Sequence, residues 1–238
     1  MPIYPPIERA SDPIDLSIIA QSASVRIFFG GTFSPPHLGH TRLPEYLPGI
    51  LGHGVHTIYV PASRSPLKSS QPIAKHHRLN MLKLALQNQQ GWEIWEQELQ
   101  DASMNPNQPS YWADTWAIVQ RMELPGINKF LIGADQALSM HRWRRYLEFW
   151  KDAFVMLREG FDSADVLINA LMKHNVWSNR DIEHWRGQIL VLPMIRASST
   201  DIRTALHDHA QRTNPIDGLA PQVQAYILEH NLYKQEQG

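Results

Sequence analysis

Sixteen residues, Val25-Arg26-Ile27-Phe28-Phe29-Gly30-Gly31-Thr32-Phe33-Ser34-Pro35-Pro36-His37-Leu38-Gly39-His40, constrain this chain more than any other stretch. The opening run is β-branched and aromatic with only Arg26 polar, which is the composition of a parallel strand buried on both faces. Gly30 and Gly31 let the backbone turn with no β-carbon in the way, so that its N–H groups can approach an anion. Beyond Pro35 and Pro36, His37 and His40 stand three apart. On a helix that spacing puts both on one face of the first turn, where the helix dipole favours negative charge. Strand, anion-binding loop and helix start are therefore expected in that order. The loop is neither G-x-x-x-x-G-K-[ST] nor G-x-G-x-x-G.

Further apolar runs at residues 55–60, 92–95, 128–132, 153–157 and 188–192 read as strands. Helical patterns lie between them. Leu79, Leu82, Ala85 and Leu86 recur at helical spacing after His76, and other helices are expected from Tyr111, from Gln136, over 164–173, from Ser199 and over 223–232. Pro44 and Pro48 should kink or end the first helix early. Residues 100–109 read as a polar loop, and Ser110 as the cap of the helix that follows. Strands alternating with helices predict an α/β fold, a doubly wound, Rossmann-like parallel sheet with helices on both faces. At 238 residues the chain suits a single domain, here residues 25–238 behind an extension of residues 1–24.

Ligands of open α/β sheets bind beyond the carboxyl ends of the strands. Three motifs fall there: Gly30 to His40, Gly133-Ala134-Asp135, and Ser198-Ser199-Thr200-Asp201-Ile202-Arg203. Ser198 to Asp201 would serve as a helix cap worth about 1 kcal/mol with no ligand at all. Arg203, four residues after Ser199, adds a guanidinium that can converge with the hydroxyl and the helix N-terminus on a polyphosphate. Asp135 is either a strand-end turn residue or a carboxylate for two ribose hydroxyls. Lys68, in the loop after the second strand, is within reach of the phosphate pocket. Trp143 is read equally as core or as a stacking platform. His53, His56, His76, His77, His207 and His209 are expected on the surface.

A net charge of −1 gives no overall bias toward nucleic acid, so an anionic ligand needs a local cluster. The absence of cysteine excludes disulfides, a thiolate zinc site and a cysteine nucleophile, and fits a cytoplasmic protein. No apolar run approaches a membrane span, and residues 1–24 carry no secretory pattern, so neither membrane nor export is expected.

Several strings together resemble the nicotinate-nucleotide adenylyltransferases of the HxGH nucleotidyltransferase superfamily. They are Gly30-Gly31-Thr32-Phe33-Ser34-Pro35-Pro36-His37-Leu38-Gly39-His40, His77-Arg78-Leu79-Asn80-Met81-Leu82-Lys83-Leu84-Ala85, Ser110-Tyr111 with Asp114-Thr115, Ile132-Gly133-Ala134-Asp135 with Trp143, and Ser198-Ser199-Thr200 with Arg203. The resemblance implies adenylyl transfer from ATP to nicotinate mononucleotide, with Mg²⁺ carried by phosphates and water. By the same resemblance His37, His40 and Arg203 would be catalytic. Gly30, Gly31, Thr32, Phe33, Gly39, Lys68, Gly133, Asp135, Ser198, Ser199 and Thr200 would bind ATP, while Tyr111, Trp112 and Trp143 would bind the pyridine mononucleotide. Partners would be those two small molecules and no nucleic acid, and a homo-oligomer is compatible with the sequence. Ser34 stands where the family often has an acidic residue, Trp112 where it has threonine, and Ala197 where it has isoleucine. A sister transferase acting on nicotinamide mononucleotide or phosphopantetheine, or a non-catalytic nucleotide-binding module, remains open at this point.

Overall fold

The computed structural model describes residues 16–63, 73–104, 109–158, 160–208 and 211–234. β1 (Val25–Gly31) lies inside an all-parallel six-stranded sheet. β2 (Val55–Pro61) and β3 (Trp92–Ile94) extend it on one side. β4 (Ile127–Gly133), β5 (Ala153–Met156) and β6 (Ile189–Leu190) extend it on the other, giving the order β3-β2-β1-β4-β5-β6. All six expected strands are present. The chain leaves β1 in one direction and returns to β4 beside it, so the sheet's switch point falls between these two strands.

Alternation along the strands sorts the core into two layers. Phe28, Ile58, Phe130, Ile132 and Val155 face one side, packed with α6 (Trp112–Arg121), α7 (Ala134–Ser139), α8 (Ala164–Lys173) and α9 (Asn179–Gly187). Ile27, Phe29, Tyr59, Leu131 and Met156 face the other, under α3 (Leu43–Leu51) and α4 (Lys75–Leu86). A third apolar cluster joins α4 to α10 (Ser199–His207) and α11 (Pro221–Glu229) through Met81, Ile202, Leu206, Val223 and Ile227. Among the described residues no helix is long and apolar enough to cross a membrane.

Several local expectations are corrected. The first helix is two pieces, α2 (Leu38–Thr41) and α3, because Pro44 stands near the start of α3 while Pro48 lies inside it. Four residues carry little macrodipole, so the charge attraction expected at His37 and His40 rests on individual groups rather than on the helix. The polar segment after β3 opens as a helix, α5 (Gln97–Met104). Its polar surface hid the fact that Gln97, Glu98 and Leu99 are buried. Ser110 does not cap α6; Tyr111 is the N-cap residue, with no side-chain hydrogen bond. His56 is buried beside Glu93, 3.8 Å from its carboxylate, rather than on the surface. His77 bonds the Tyr226 hydroxyl at 2.9 Å.

The described end of the extension belongs to the fold. Residues of α1 (Ile18–Ser22) and its flanks dock under the sheet through buried Leu16 and Ala20. Arg26, the polar exception in β1, donates to Ala20 O at 2.5 Å, to Pro125 O at 2.6 Å, to Asn128 Oδ1 and to Gln21 O. A buried guanidinium in a central strand is tolerable only because carbonyl oxygens surround it.

Candidate functional site

The carboxyl ends of β1 and β4 open on the loop that carries the two histidines. His37 is the N-cap of α2, in extended backbone, and His40 lies one turn on. Their imidazoles stack with centroids 3.6 Å apart and planes 25° from parallel. The His37 backbone N–H donates to His40 Nδ1 at 3.4 Å, which leaves the proton of a neutral His40 on Nε2. Phe33 fixes the arrangement from below. It is buried, holds a left-handed φ of 50°, and sets its ring against Phe29, Tyr59 and His40.

His37 is only 6% exposed, and its Nδ1 has no hydrogen-bond partner among the described residues. Burial, with the nearby charge of Arg158, lowers its pKa to about 4. The ring is therefore neutral at pH 7. Gly39 packs tightly beside it: a β-carbon there would lie 3.1 Å from His37 Nδ1, so the ring would have to give way.

His37 forms part of the wall of a cavity of about 600 Å³ whose lining also includes Gly39, Arg158, Arg196, Ser198 and Asp217. Three arginines, Arg42, Arg158 and Arg196, with the start of α10 and the buried His37 behind them, make this a site for a polar, anionic molecule. Ser198 is a helix cap after all, accepting from Thr200 N at 3.2 Å. Arg158 ties the cavity to the Gly133 motif. It stands 3.9 Å from the Asp135 carboxylate, and a β-carbon on Gly133 would meet its Nε at 2.6 Å.

Ser199 and Arg203 converge, but on protein. Arg203 Nη1 donates to Ser34 O and Ser199 Oγ to Pro35 O, each at 2.9 Å. From the C-terminal segment the Tyr233 hydroxyl meets Ser34 Oγ, and from α4 the buried Arg78 donates to Thr32 O at 2.9 Å and Ala62 O at 2.7 Å. The glycine-rich loop is thus held from three sides by distant parts of the chain, as a preorganised anion site requires. Neither Ser199, Thr200 nor Arg203 lines the cavity, and neither do Gly30, Gly31, Thr32 and Phe33.

The aromatic trio lies on the opposite face of the sheet. Trp112 packs against Trp116 and Phe130 and covers Gly30 so closely that a β-carbon there would come 2.7 Å from it. Tyr111 lies under the Arg144 guanidinium, 4.9 Å from the ring centroid, and Asp114 is 3.4 Å from the same arginine. Trp143 is half-buried against the core. Lys68 lies outside the described residues. Arg78, Arg158 and Glu98 were not singled out by sequence reasoning. For Arg158, its place just after a strand was the available signal.

The cytidylyltransferase-like family model matches residues 28–205. A probable nicotinate-nucleotide adenylyltransferase of Laribacter hongkongensis is 32% identical over 219 residues, covering 87% of this chain and 94% of that one. The chain belongs to the nicotinate-nucleotide adenylyltransferase family. Its fold also matches the structure of Plasmodium falciparum nicotinic acid mononucleotide adenylyltransferase complexed with APC, at a TM-score of 0.60 and 14% identity, over 88% of this chain and 97% of that one. The same protein complexed with NaAD gives a TM-score of 0.59. The family match spans the histidine loop and the start of α10, which line the cavity, and the Gly133 motif, which Arg158 joins to it.

Proposed function

We propose that this protein transfers the adenylyl group of ATP to nicotinate mononucleotide, giving nicotinate adenine dinucleotide and pyrophosphate, in NAD biosynthesis. The observation that carries the reading is His37: a buried, neutral imidazole, stacked on a second one, with an unpartnered nitrogen at a cavity wall shared with arginines. The names of its relatives support the same reading.

A phosphate oxygen of the acceptor attacks the α-phosphorus of ATP in line. The new P–O bond forms as the α–β bridge breaks, and pyrophosphate leaves with the bonding electron pair. The attacking phosphate is already ionised, so the protein needs no general base; it needs alignment and donors where charge accumulates. His37 and His40 are assigned to the α-phosphate and the departing bridge oxygen. Arg203, with Ser199, holds the loop that carries them, and Arg203 and Lys68 are assigned to the outer phosphates. Gly133 and Asp135 are assigned to the adenosine side, Tyr111, Trp112 and Trp143 to the acceptor, and residues 25–238 to the transferase domain.

The ATP substrate implies a divalent metal, taken here as Mg²⁺, which neutralises phosphate charge when bound. Among the described residues no group of three or more His, Asp or Glu is arranged to hold a metal. The described residues form no protein cage for the ion. A cytoplasmic location belongs to the same reading. The test is pyrophosphate release from ATP with nicotinate mononucleotide, nicotinamide mononucleotide, phosphopantetheine or no acceptor. Release only with the first supports the reading, and release with none would leave a binding module.

A further inference from the structure

One buried carboxyl group is used by nothing above. Glu98 stands in the first turn of α5, is 6% exposed, and projects under the start of α6. It accepts a hydrogen bond from Thr115 Oγ1 at 2.7 Å, and the Ser110 hydroxyl bonds the same carboxyl. Ser110 and Thr115 bracket Tyr111 and Trp112. Because Tyr111 caps α6 without a side-chain bond of its own, the conformation of this turn is set from outside it.

We propose that Glu98 is a positioning residue for the acceptor pocket: by bonding the Ser110 and Thr115 hydroxyls, its carboxylate fixes the turn that sets Trp112 on Gly30 and aims Tyr111. The proposal rests on the assignment of that turn to the pyridine mononucleotide.

The groups facing Glu98 make this turn sensitive to pH. Burial raises its pKa to about 7, the Thr115 and Ser110 hydroxyls pull it down, Asp101 on its own helix pushes it up, and Arg78 from α4 pulls it down. The ionised carboxylate accepts from both hydroxyls. The neutral acid must donate its own proton, so one of the two hydroxyls has to turn from donor to acceptor and the charge-assisted hold on the turn is lost. Acceptor binding should therefore weaken as pH falls through about 7. Glu98 touches neither the histidine pair nor α10 and reaches the ATP loop only indirectly, through Arg78 and through Trp112 on Gly30, so binding of the acceptor should be affected more than that of ATP.

The experiment compares wild type with Glu98→Gln and Glu98→Asp on either side of pH 7. Glu98→Gln, the uncharged isostere, should raise KM for nicotinate mononucleotide on the order of tenfold above pH 7, the usual loss for one charged hydrogen bond. KM for ATP should change much less than KM for the mononucleotide, and the pH dependence of the acceptor KM through this range should disappear. Glu98→Asp should restore part of it. Hydrogen exchange at residues 110–115 is read in parallel, because it needs no turnover: exchange should rise in Glu98→Gln above pH 7 and match wild type below it. Exchange and acceptor KM that are indifferent to Glu98→Gln would overturn the proposal. If wild type does not use the mononucleotide at all, the functional assignment fails by itself, while the exchange result still decides whether Glu98 fixes the turn.

Discussion

The indole of Trp112 occupies the space a side chain on Gly30 would need: a β-carbon built there lies 2.7 Å from Trp112 Cζ3. Gly30 is thus required less for a turn than for a close approach, and it couples the histidine loop on one face of the sheet to the aromatic turn on the other.

Gly30→Ala should push Trp112 out of its stack with Trp116 and Phe130. Overpacking of this kind costs about 1–3 kcal/mol. Denaturant unfolding should show that loss, and the acceptor KM should rise more than the ATP KM. Wild-type values for both would mean that Trp112 has room to retreat.

His37 ties stability to pH. Its folded-state pKa of about 4 lies below the ordinary 6.5, so the stability it contributes is fully present above 6.5 and is lost as pH falls toward 4. The shift corresponds to roughly 3 kcal/mol. Urea titrations of His37→Gln should show a shallower fall in stability across that window. A triphosphate bound beside the ring favours its protonation, so ATP binding near pH 5 should take up a proton, measurable by calorimetry in buffers of different ionisation enthalpy. His56, also lowered by burial, supplies a second and independent acid limb.

Arg203→Ala removes the bond to Ser34 O and the contact with Thr200 Oγ1. A lost hydrogen bond to a charged group is worth about tenfold in binding, and the loss should fall on ATP rather than on the acceptor. Lysine should rescue only part, since it cannot bond both oxygens with one planar fork. Unchanged ATP affinity in Arg203→Ala would show that the staple between α10 and the loop is dispensable.

The sheet was legible in the sequence because its strands leave short runs rich in apolar residues, even where β3 carries Glu93 and β4 carries Asn128 and Lys129. Helices with a broad apolar stripe were legible too. α9 was not, because only Ile182 and Trp185 of its residues are buried and the rest are polar. α1 is five residues long and held by Arg26, and no local pattern announces that contact. At the site, the histidines and the SST segment were readable as strings. That Ser199 and Arg203 bond loop carbonyls was not, because their partners lie 164 and 169 residues away in sequence. Arg78, Arg158 and Glu98 gain their roles from the same long-range packing.

The central claim is tested most directly by kcat/KM for nicotinate mononucleotide and nicotinamide mononucleotide at saturating ATP. The pyridinium stacks alike in both substrates, so discrimination has to come from the substituent. Trp112 brings no hydroxyl to the turn, which leaves the N–H groups at the start of α6, and these favour a carboxylate over an amide that needs an acceptor for its NH₂. A preference of about tenfold or more for the acid is the expected result. Equal values, or a preference for the amide, would contradict the assignment and make nicotinamide mononucleotide the substrate.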